Sequence, residues 1–247
     1  MLERLDLRMI GGACAVIGVA LFIIGAVVGA ATGGPSTVIP ETGHGLVTWV
    51  RDVVDDRTGF EIGTGLVVFA GVLLAVALIG FYDVLREAGP AMILAPVLGV
   101  VGFVLVTISH TLPVVMAAEF APDFASADAA GRATLQTTGD LMAGTALATN
   151  YVGDLLLWGV SVPLVAVAVL RTRALPRWIG WLGLFTGVVG GWVGAFGIVS
   201  KTVENVAGIG FPAFFVWAVA MGVAMLRLGG AEAATTEPAR GDDTVPA

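Results

Sequence analysis

The chain has 247 residues, of which 57% are hydrophobic and only 13% are charged. Soluble domains carry about a quarter charged residues, so this composition excludes an ordinary soluble globular protein. The net charge of −7 excludes a nucleic-acid-binding protein, which would present a basic surface. The apolar residues are collected into six long stretches, and the sequence therefore predicts an all-α, polytopic transmembrane helix bundle whose partner is the lipid bilayer.

Each apolar stretch has the roughly 20 residues that an α-helix needs to cross the hydrocarbon core. The predicted spans are 9–32, 60–82, 91–118, a helix centred on 151–170, 178–200 and 209–228. The first follows Arg4 and Arg8, as a signal peptide would, but it is too long for one and is interpreted as a retained helix. Residues 1–228 therefore form one predicted six-helix domain. The tail, 229–247, is small and polar and is predicted to be disordered and cytoplasmic.

Two longer polar stretches separate predicted spans. In the first, apolar residues recur at spacings of three and four, at Leu46, Val47, Trp49, Val50, Val53 and Val54. This pattern predicts a short amphipathic outer helix between spans 1 and 2. We favour a helix that caps the bundle over a lid that covers a ligand. The second stretch, 123–140, is predicted either to extend the fourth span outward or to form a short helix before it.

The basic residues predict the orientation, because cytoplasmic loops carry an excess of Lys and Arg. One side of the membrane receives Arg4, Arg8, Arg86, Arg171, Arg173, Arg177, Arg227 and Arg240. The other side receives Arg51, Arg57, Arg132 and Lys201. Both termini are therefore predicted to be cytoplasmic.

Glycines follow single helix faces in two spans. Those of the first span are Gly11, Gly18, Gly25, Gly29 and Gly33, and those of the fifth are Gly180, Gly183, Gly187, Gly190, Gly194 and Gly197. Lipid offers no hydrophobic force that joins helices, so small residues that allow backbones to approach are typical of membrane helix interfaces. We interpret both stripes as packing faces. The alternative is a lining of small residues along a pore or substrate path.

One acidic residue lies well inside a span. Asp154 is four residues from Asn150 and shares its helix face. A buried aspartate costs roughly 2.5–3.5 kcal/mol in a membrane helix, so it needs a partner, and His110 on the third span lies at a similar height. The candidate ligand-binding pocket, which faces outward, consists of His110, Glu119, Asn150, Asp154 and Glu61. The interpretations are interhelical hydrogen bonding, which we prefer, a ligand or ion site, and catalysis.

Signatures of enzymes are missing from the sequence. The two histidines, His44 and His110, cannot ligate two haems between helices, and no metal-binding spacing occurs. Nucleophile-elbow, Walker A and dinucleotide-binding motifs are also missing, so neither a cofactor nor a metal is predicted. The sequence therefore favours a non-catalytic protein with a structural, regulatory or partner-binding role, the partner being a second copy or another membrane protein. The alternative is a small-molecule or ion carrier or sensor that uses the pocket around Asp154 and His110.

Two strings near the C-terminus are distinctive. They are LPRWIGWLG, starting at Leu175, and FPAFFVWAVAMGVAMLR, starting at Phe211. Both resemble bacterial six-helix membrane proteins that are grouped as domain of unknown function 4386. The resemblance covers the last third of the chain and the spacing of the helices. It implies six spans and a plasma-membrane location, and it implies no catalytic residues.

The predicted orientation can be tested with reporter fusions. Fusions after Arg86 and after Arg173 should report the cytoplasm, whereas fusions near Asp56 and Arg132 should report the exterior. The loop that contains Arg173 has the strongest positive bias, because three arginines lie within seven residues. An exterior signal at Arg173 would overturn the whole predicted arrangement.

Overall fold

The computed structural model describes residues 6–31, 39–40, 42–193 and 208–236, and of 231–236 the backbone alone. Within these residues all regular secondary structure is helical, which confirms the all-α prediction. The α-helices are α1 (Leu7–Ala31), α2 (His44–Asp55), α3 (Arg57–Leu85), α4 (Leu94–Val115), α5 (Ala121–Ser126), α6 (Ala129–Asp154), α7 (Val162–Thr172), α8 (Arg177–Thr186) and α9 (Gly210–Thr236). Two 3-10 turns, Arg86–Ala88 and Pro90–Ile93, connect α3 to α4. Three π-helical segments, Met116–Phe120, Leu155–Ser161 and Gly187–Val193, continue α4, α6 and α8.

Five stretches of the described chain are long and apolar enough to cross a membrane. They are Leu7–Ala31, Arg57–Ala88, Pro90–Ser126, Ala129–Thr172 and Gly210–Gly230. The remaining predicted span, 178–200, begins with the ten residues of α8 and the seven residues of the π-helical segment after it. Residues 194–200 lie outside the described part of the chain, as does Thr32 at the end of the first predicted span, so the described structure contains four predicted spans at full length and the first up to Ala31.

Two predicted boundaries require correction. The fourth span is part of a continuous helical stretch of 44 residues that starts at Ala129, because the Asp128 side chain accepts a hydrogen bond from the Gly131 backbone amide (2.8 Å) and caps the helix. Helix α5 precedes it, so both alternatives for 123–140 occur together. Helix α9 continues past the predicted end at Leu228 to Thr236, through alanines that favour helix, while 237–247 lie outside the described residues.

Helix α2 (His44–Asp55) lies in the polar stretch for which the sequence predicts a short amphipathic outer helix. Its residues Leu46, Trp49, Val50 and Val53 are buried in a cluster with Phe60 of α3, Met116, Ala117 and Phe120 of the π-helical segment, and Ala121 and Phe124 of α5. Val47 and Val54, which were predicted to share the apolar face, are 46% and 45% exposed. The buried stripe is therefore narrower than predicted, and it rests on the ends of other helices.

Helices α1 and α3 pack through glycines along most of their length. A Cβ added to Gly11 would lie 2.8 Å from the Cα of Gly80, and one added to Gly25 would lie 2.6 Å from the Gly63 carbonyl oxygen. These distances are shorter than real Cβ contacts, so any larger residue would push the backbones apart. The α1 glycines that are seven residues apart therefore mark its interface with α3.

The other predicted glycine stripe runs along α8 and the π-helical segment after it. Gly180, Gly183, Gly187 and Gly190 are described and buried, whereas Gly194 and Gly197 lie outside the described residues. A Cβ on Gly183 would lie 2.6 Å from Nε1 of the buried Trp217, and one on Gly190 would overlap the ring of Trp158. In this part of the bundle the glycines leave room for the largest side chains of neighbouring helices.

A pair of glycines on α3 provides a matched test of this packing. Gly63→Ala should lower the free energy of unfolding by about 1–3 kcal/mol, because its Cβ would lie 2.8 Å from the Gly25 carbonyl oxygen. Gly65→Ala meets open space and should be neutral or stabilise by up to about 1 kcal/mol. Thermal unfolding in one detergent measures both. Equal stability of the two variants would show that the α1–α3 contact is looser than described.

Candidate functional site

The candidate site lies where α4 and α6 approach most closely. A Cβ on Gly102 would lie 2.7 Å from the Gly153 carbonyl oxygen, and a Cβ on Gly153 would lie 2.8 Å from the Gly102 carbonyl oxygen. The two backbones are therefore in contact at these glycines. Because the helices are so close, short polar side chains on the next turns can bond across the interface.

A chain of hydrogen bonds crosses from α4 to α6 beside these glycines. The Ser109 hydroxyl lies 3.1 Å from Oδ1 of Asn150 and donates to it. The Asn150 amide in turn donates to Oδ2 of Asp154, at 2.8 Å. Asp154 is thus linked to α4 through one side chain of its own helix and one of the neighbouring helix.

His110 joins the same network through Ser109. Its Nδ1 lies 3.0 Å from the Ser109 hydroxyl oxygen and 2.8 Å from the Val106 carbonyl oxygen. A hydroxyl has a single proton, so Ser109 cannot donate to Asn150 and to other acceptors at once. The Ser109 hydroxyl also lies 2.7 Å from the Val106 carbonyl oxygen, so this carbonyl and Asn150 compete for its single proton. When Nδ1–H of His110 occupies the Val106 carbonyl, Ser109 is free to donate to Asn150, and Asn150 donates to Asp154. We therefore assign the proton of neutral His110 to Nδ1.

Burial differs between the members of the network. Ser109 is fully buried between the helices. His110, Asn150 and Asp154 are partly exposed. The network therefore begins inside the α4–α6 interface and reaches the edge of the bundle, where its outer members remain accessible.

The structure does not join the two glutamates of the predicted pocket to this network. Oε1 of Glu61 accepts from Nε of Arg57 at 2.7 Å, one helical turn away on α3. Glu119 is exposed in the π-helical segment after α4, nine residues or about 13 Å along the helix from His110. In the described chain, no hydrogen bond connects either glutamate to His110, Asn150 or Asp154, so the connected group is smaller than the predicted one.

Ser109 is the member that the sequence did not single out. Thr107, Ser109 and Thr111 all lie close to His110 in the sequence. They differ in the face of α4 that each side chain occupies. Ser109 is seven residues from Gly102, which places it on the face that contacts α6. Thr111 instead bonds the Thr107 carbonyl oxygen of its own helix, at 2.8 Å. A search for polar residues in phase with glycines would have found Ser109.

The helix backbone changes form directly after Asp154. The π-helical segment Leu155–Ser161 starts there and ends before Pro163, whose ring removes one backbone donor. The hydroxyl of Ser161, which is fully buried, donates to the Ala95 carbonyl oxygen of α4 at 2.7 Å. A second polar link therefore joins the same two helical stretches two turns below the first. Single π-turns within helices are frequent at functional sites.

The chemistry open to this arrangement is hydrogen bonding. In the described part of the chain, no group of three or more His, Cys, Asp and Glu side chains is placed to hold a metal ion. Asp154 and His110 each carry polar atoms at the edge of the bundle, and both are tied to the helix interface by the bonds above. The geometry is that of a link between helices with an accessible end.

The long apolar helices and the polar link inside their interface define a polytopic helical membrane protein. The particular family follows from the sequence as a whole. Residues 10–230 match the family model described as Domain of unknown function (DUF4386), and the chain belongs to that family. This match confirms the resemblance seen in the two C-terminal strings. Neither a curated protein nor a solved structure matches the chain significantly.

The interhelical bond of Ser109 can be measured by truncation. Ser109→Ala should lower the free energy of unfolding by about 0.6 kcal/mol, the average for hydrogen bonds between membrane helices, and by no more than about 1.7 kcal/mol, the largest value for such bonds. Thr111→Ala is the control, since its hydroxyl bonds only its own helix and it is exposed. A cycle that combines Ser109→Ala with Asn150→Ala should show less than additive losses. Additive losses would mean that the two side chains do not interact.

Proposed function

We propose that the protein is a non-catalytic, multi-pass protein of the plasma membrane with a structural, regulatory or partner-binding role. The observation that carries this proposal is the use of the polar groups inside the bundle. Ser109, Asn150 and Asp154 bond one another across the α4–α6 interface, and Ser161 bonds the backbone of α4. Their chemistry is engaged in holding helices. The Ser109 hydroxyl lies 3.0 Å from His110 Nδ1, but that nitrogen also bonds the Val106 carbonyl oxygen at 2.8 Å, and Ser109 is fully buried between the helices.

The proposed topology has six spans and two cytoplasmic termini. Helix α8 and its π-helical continuation supply 17 residues of the additional span before the described chain is interrupted. An even number of spans returns the chain to the side on which it began. On that side lie Arg8, Arg86 and Arg173, at helix ends or connections, and Arg227, near the end of the apolar stretch of α9, as the positive-inside rule requires of a cytoplasmic face.

In this topology α2 and α5 form an outer cap. The cap is held by the apolar cluster around Trp49 and Phe120. It is also tied to α6 by polar contacts, since the Gly43 backbone amide donates to Oδ1 of Asp140 at 2.8 Å. The buried contacts favour a cap fixed to the bundle over a lid that opens.

The second candidate function is a small-molecule or ion carrier or sensor. Two observations favour it: His110 and Asp154 are partly exposed, and a π-helical segment begins directly after Asp154. A ligand that bonded Asp154 would compete with Asn150 for the carboxylate. The site of this alternative consists of His110, Asn150 and Asp154.

Substitutions at Asp154 separate the two functions. Asp154→Asn should keep thermal stability within about 0.5 kcal/mol, because an amide retains both donors and acceptors. Asp154→Leu should lower stability by about 1–3 kcal/mol, since the Asn150 amide would lose its acceptor. Unfolding of both variants in detergent measures these effects.

The carrier or sensor function makes a different prediction for the same pair. Asp154→Asn would then leave stability intact and abolish a ligand- or proton-linked response in membrane vesicles. A full response in Asp154→Asn, together with a clear loss of stability in Asp154→Leu, supports the structural role. Unchanged stability of Asp154→Leu would contradict it.

A further inference from the structure

A groove opens on the outside of the bundle between α1, α8 and α9. Its volume is about 600 Å³, and its walls are apolar except at one end. Val19 and Ile23 of α1 lie on one side, and Phe215 and Val216 of α9 lie at the deep end. The other end holds Arg227, which is the one charged residue among those that line the groove. We propose that this groove binds one molecule of an anionic phospholipid, with an acyl chain along the apolar wall and the phosphate at Arg227.

The length and the charge distribution of the groove favour a lipid over another helix. From Phe215 to Arg227 it follows α9 for twelve residues, or about 18 Å. One leaflet of the hydrocarbon core is about 15 Å thick, half of the roughly 30 Å that a transmembrane helix must cross. The groove therefore matches a single acyl chain that starts at one membrane surface. The single cation at one end of an otherwise apolar wall matches a charged headgroup with an apolar chain, which a second apolar helix would not supply.

The charged end of the groove lies where a lipid headgroup would be. Trp178, at the start of α8, lines this end and is 55% exposed. Tryptophans of membrane proteins concentrate at the headgroup level, so Trp178 indicates the depth of the interface. Arg227 and Trp178 thus place a cation and an interfacial aromatic ring at the mouth of an apolar groove. Basic pockets between membrane helices bind anionic headgroups in this way.

The arginines near the mouth have no protein counter-ion in the described residues. Arg171, Arg173, Arg177 and Arg227 form no ion pair there. On the same side of the bundle, Asp83 pairs with Arg8 at 3.0 Å and with Arg86 at 3.6 Å. Asp6, which lies beside Gly229, accepts a hydrogen bond from the Arg8 backbone amide at 2.9 Å and forms no ion pair with the four arginines near the mouth in the described residues. A phosphate at Arg227 would supply the missing negative charge, and the neighbouring arginines would add to its attraction.

Native mass spectrometry of the full chain in a non-ionic detergent tests the proposal. The probes are phosphatidylglycerol and phosphatidylcholine with identical acyl chains, and glycerol phosphate, which has the charge without the chains. One phosphatidylglycerol should be retained per chain, and phosphatidylcholine should be lost at the same collision energy. Glycerol phosphate binding as strongly as phosphatidylglycerol would reveal a free-anion site and overturn the proposal, as would equal retention of the two lipids.

Two variants and two matched controls locate the lipid. Arg227→Gln should weaken phosphatidylglycerol binding roughly five-fold or more, whereas Arg171→Gln removes an arginine of the same side outside the groove and should leave binding near wild type. Ala220→Leu fills the groove and should reduce occupancy, whereas Ala148→Leu, at an exposed site of α6, should not. Since Arg227 is exposed, its variant remains informative even if Ala220→Leu fails to fold.

The remaining outcomes contradict the proposal in distinct ways. Equal losses in Arg227→Gln and Arg171→Gln would mean diffuse attraction to the basic surface. Unchanged occupancy in both Arg227→Gln and Ala220→Leu would place the lipid elsewhere on the protein. A dimer that Ala220→Leu dissociates would show that a second copy of the chain fills the groove instead.

Discussion

Contact between helix backbones at glycines is the constraint on which the rest of the structure depends. In lipid, apolar side chains gain nothing by leaving the solvent, so helices associate through close packing and polar contacts. Gly11 against Gly80, Gly25 against Gly63 and Gly102 against Gly153 bring three pairs of helical turns to a separation that a Cβ would prevent. These contacts fix which turn of one helix faces which turn of its neighbour.

The polar network is a consequence of that packing. Serine and asparagine have short side chains, and the bond between Ser109 and Asn150 is possible because Gly102 and Gly153 lie in the same interface. The network adds direction to a contact that glycines make close, since a rotation of either helix would break it. Asp154 then accepts a hydrogen bond from Asn150, a residue of its own helix. The α4–α6 interface therefore sets the close packing of the two helices, their register and the hydrogen bonding of their polar side chains.

The two ends of the bundle differ in character, and this difference bears on function. The end that carries α2 and α5 is covered by an apolar cluster and is tied to α6, because the Gly43 amide donates to Asp140 and the Gly43 carbonyl accepts from Gln136. The opposite end presents Arg8 and Arg86, which share Asp83, together with four arginines that form no ion pair in the described chain, Arg171, Arg173, Arg177 and Arg227. A capped face on one side and a basic face with a lipid-sized groove on the other suit a protein that is held in a defined position in the bilayer.

The sequence by itself determined the class of protein, the helices and the main polar residues. Apolar stretches of about 20 residues can be stable only as helices that satisfy their backbones in lipid, and this is a local property that composition reveals. It also determined that Asp154 needs a partner. Only the tertiary structure decided which partner, because Ser109, Thr107 and Thr111 are alike in type and differ in the face they present to α6. The same holds for Glu61, which local sequence places near a pocket and which the structure pairs with Arg57. The narrow buried stripe of α2 and the extension of α9 likewise depend on neighbours and on helix propensity beyond the apolar core, which periodicity alone does not encode.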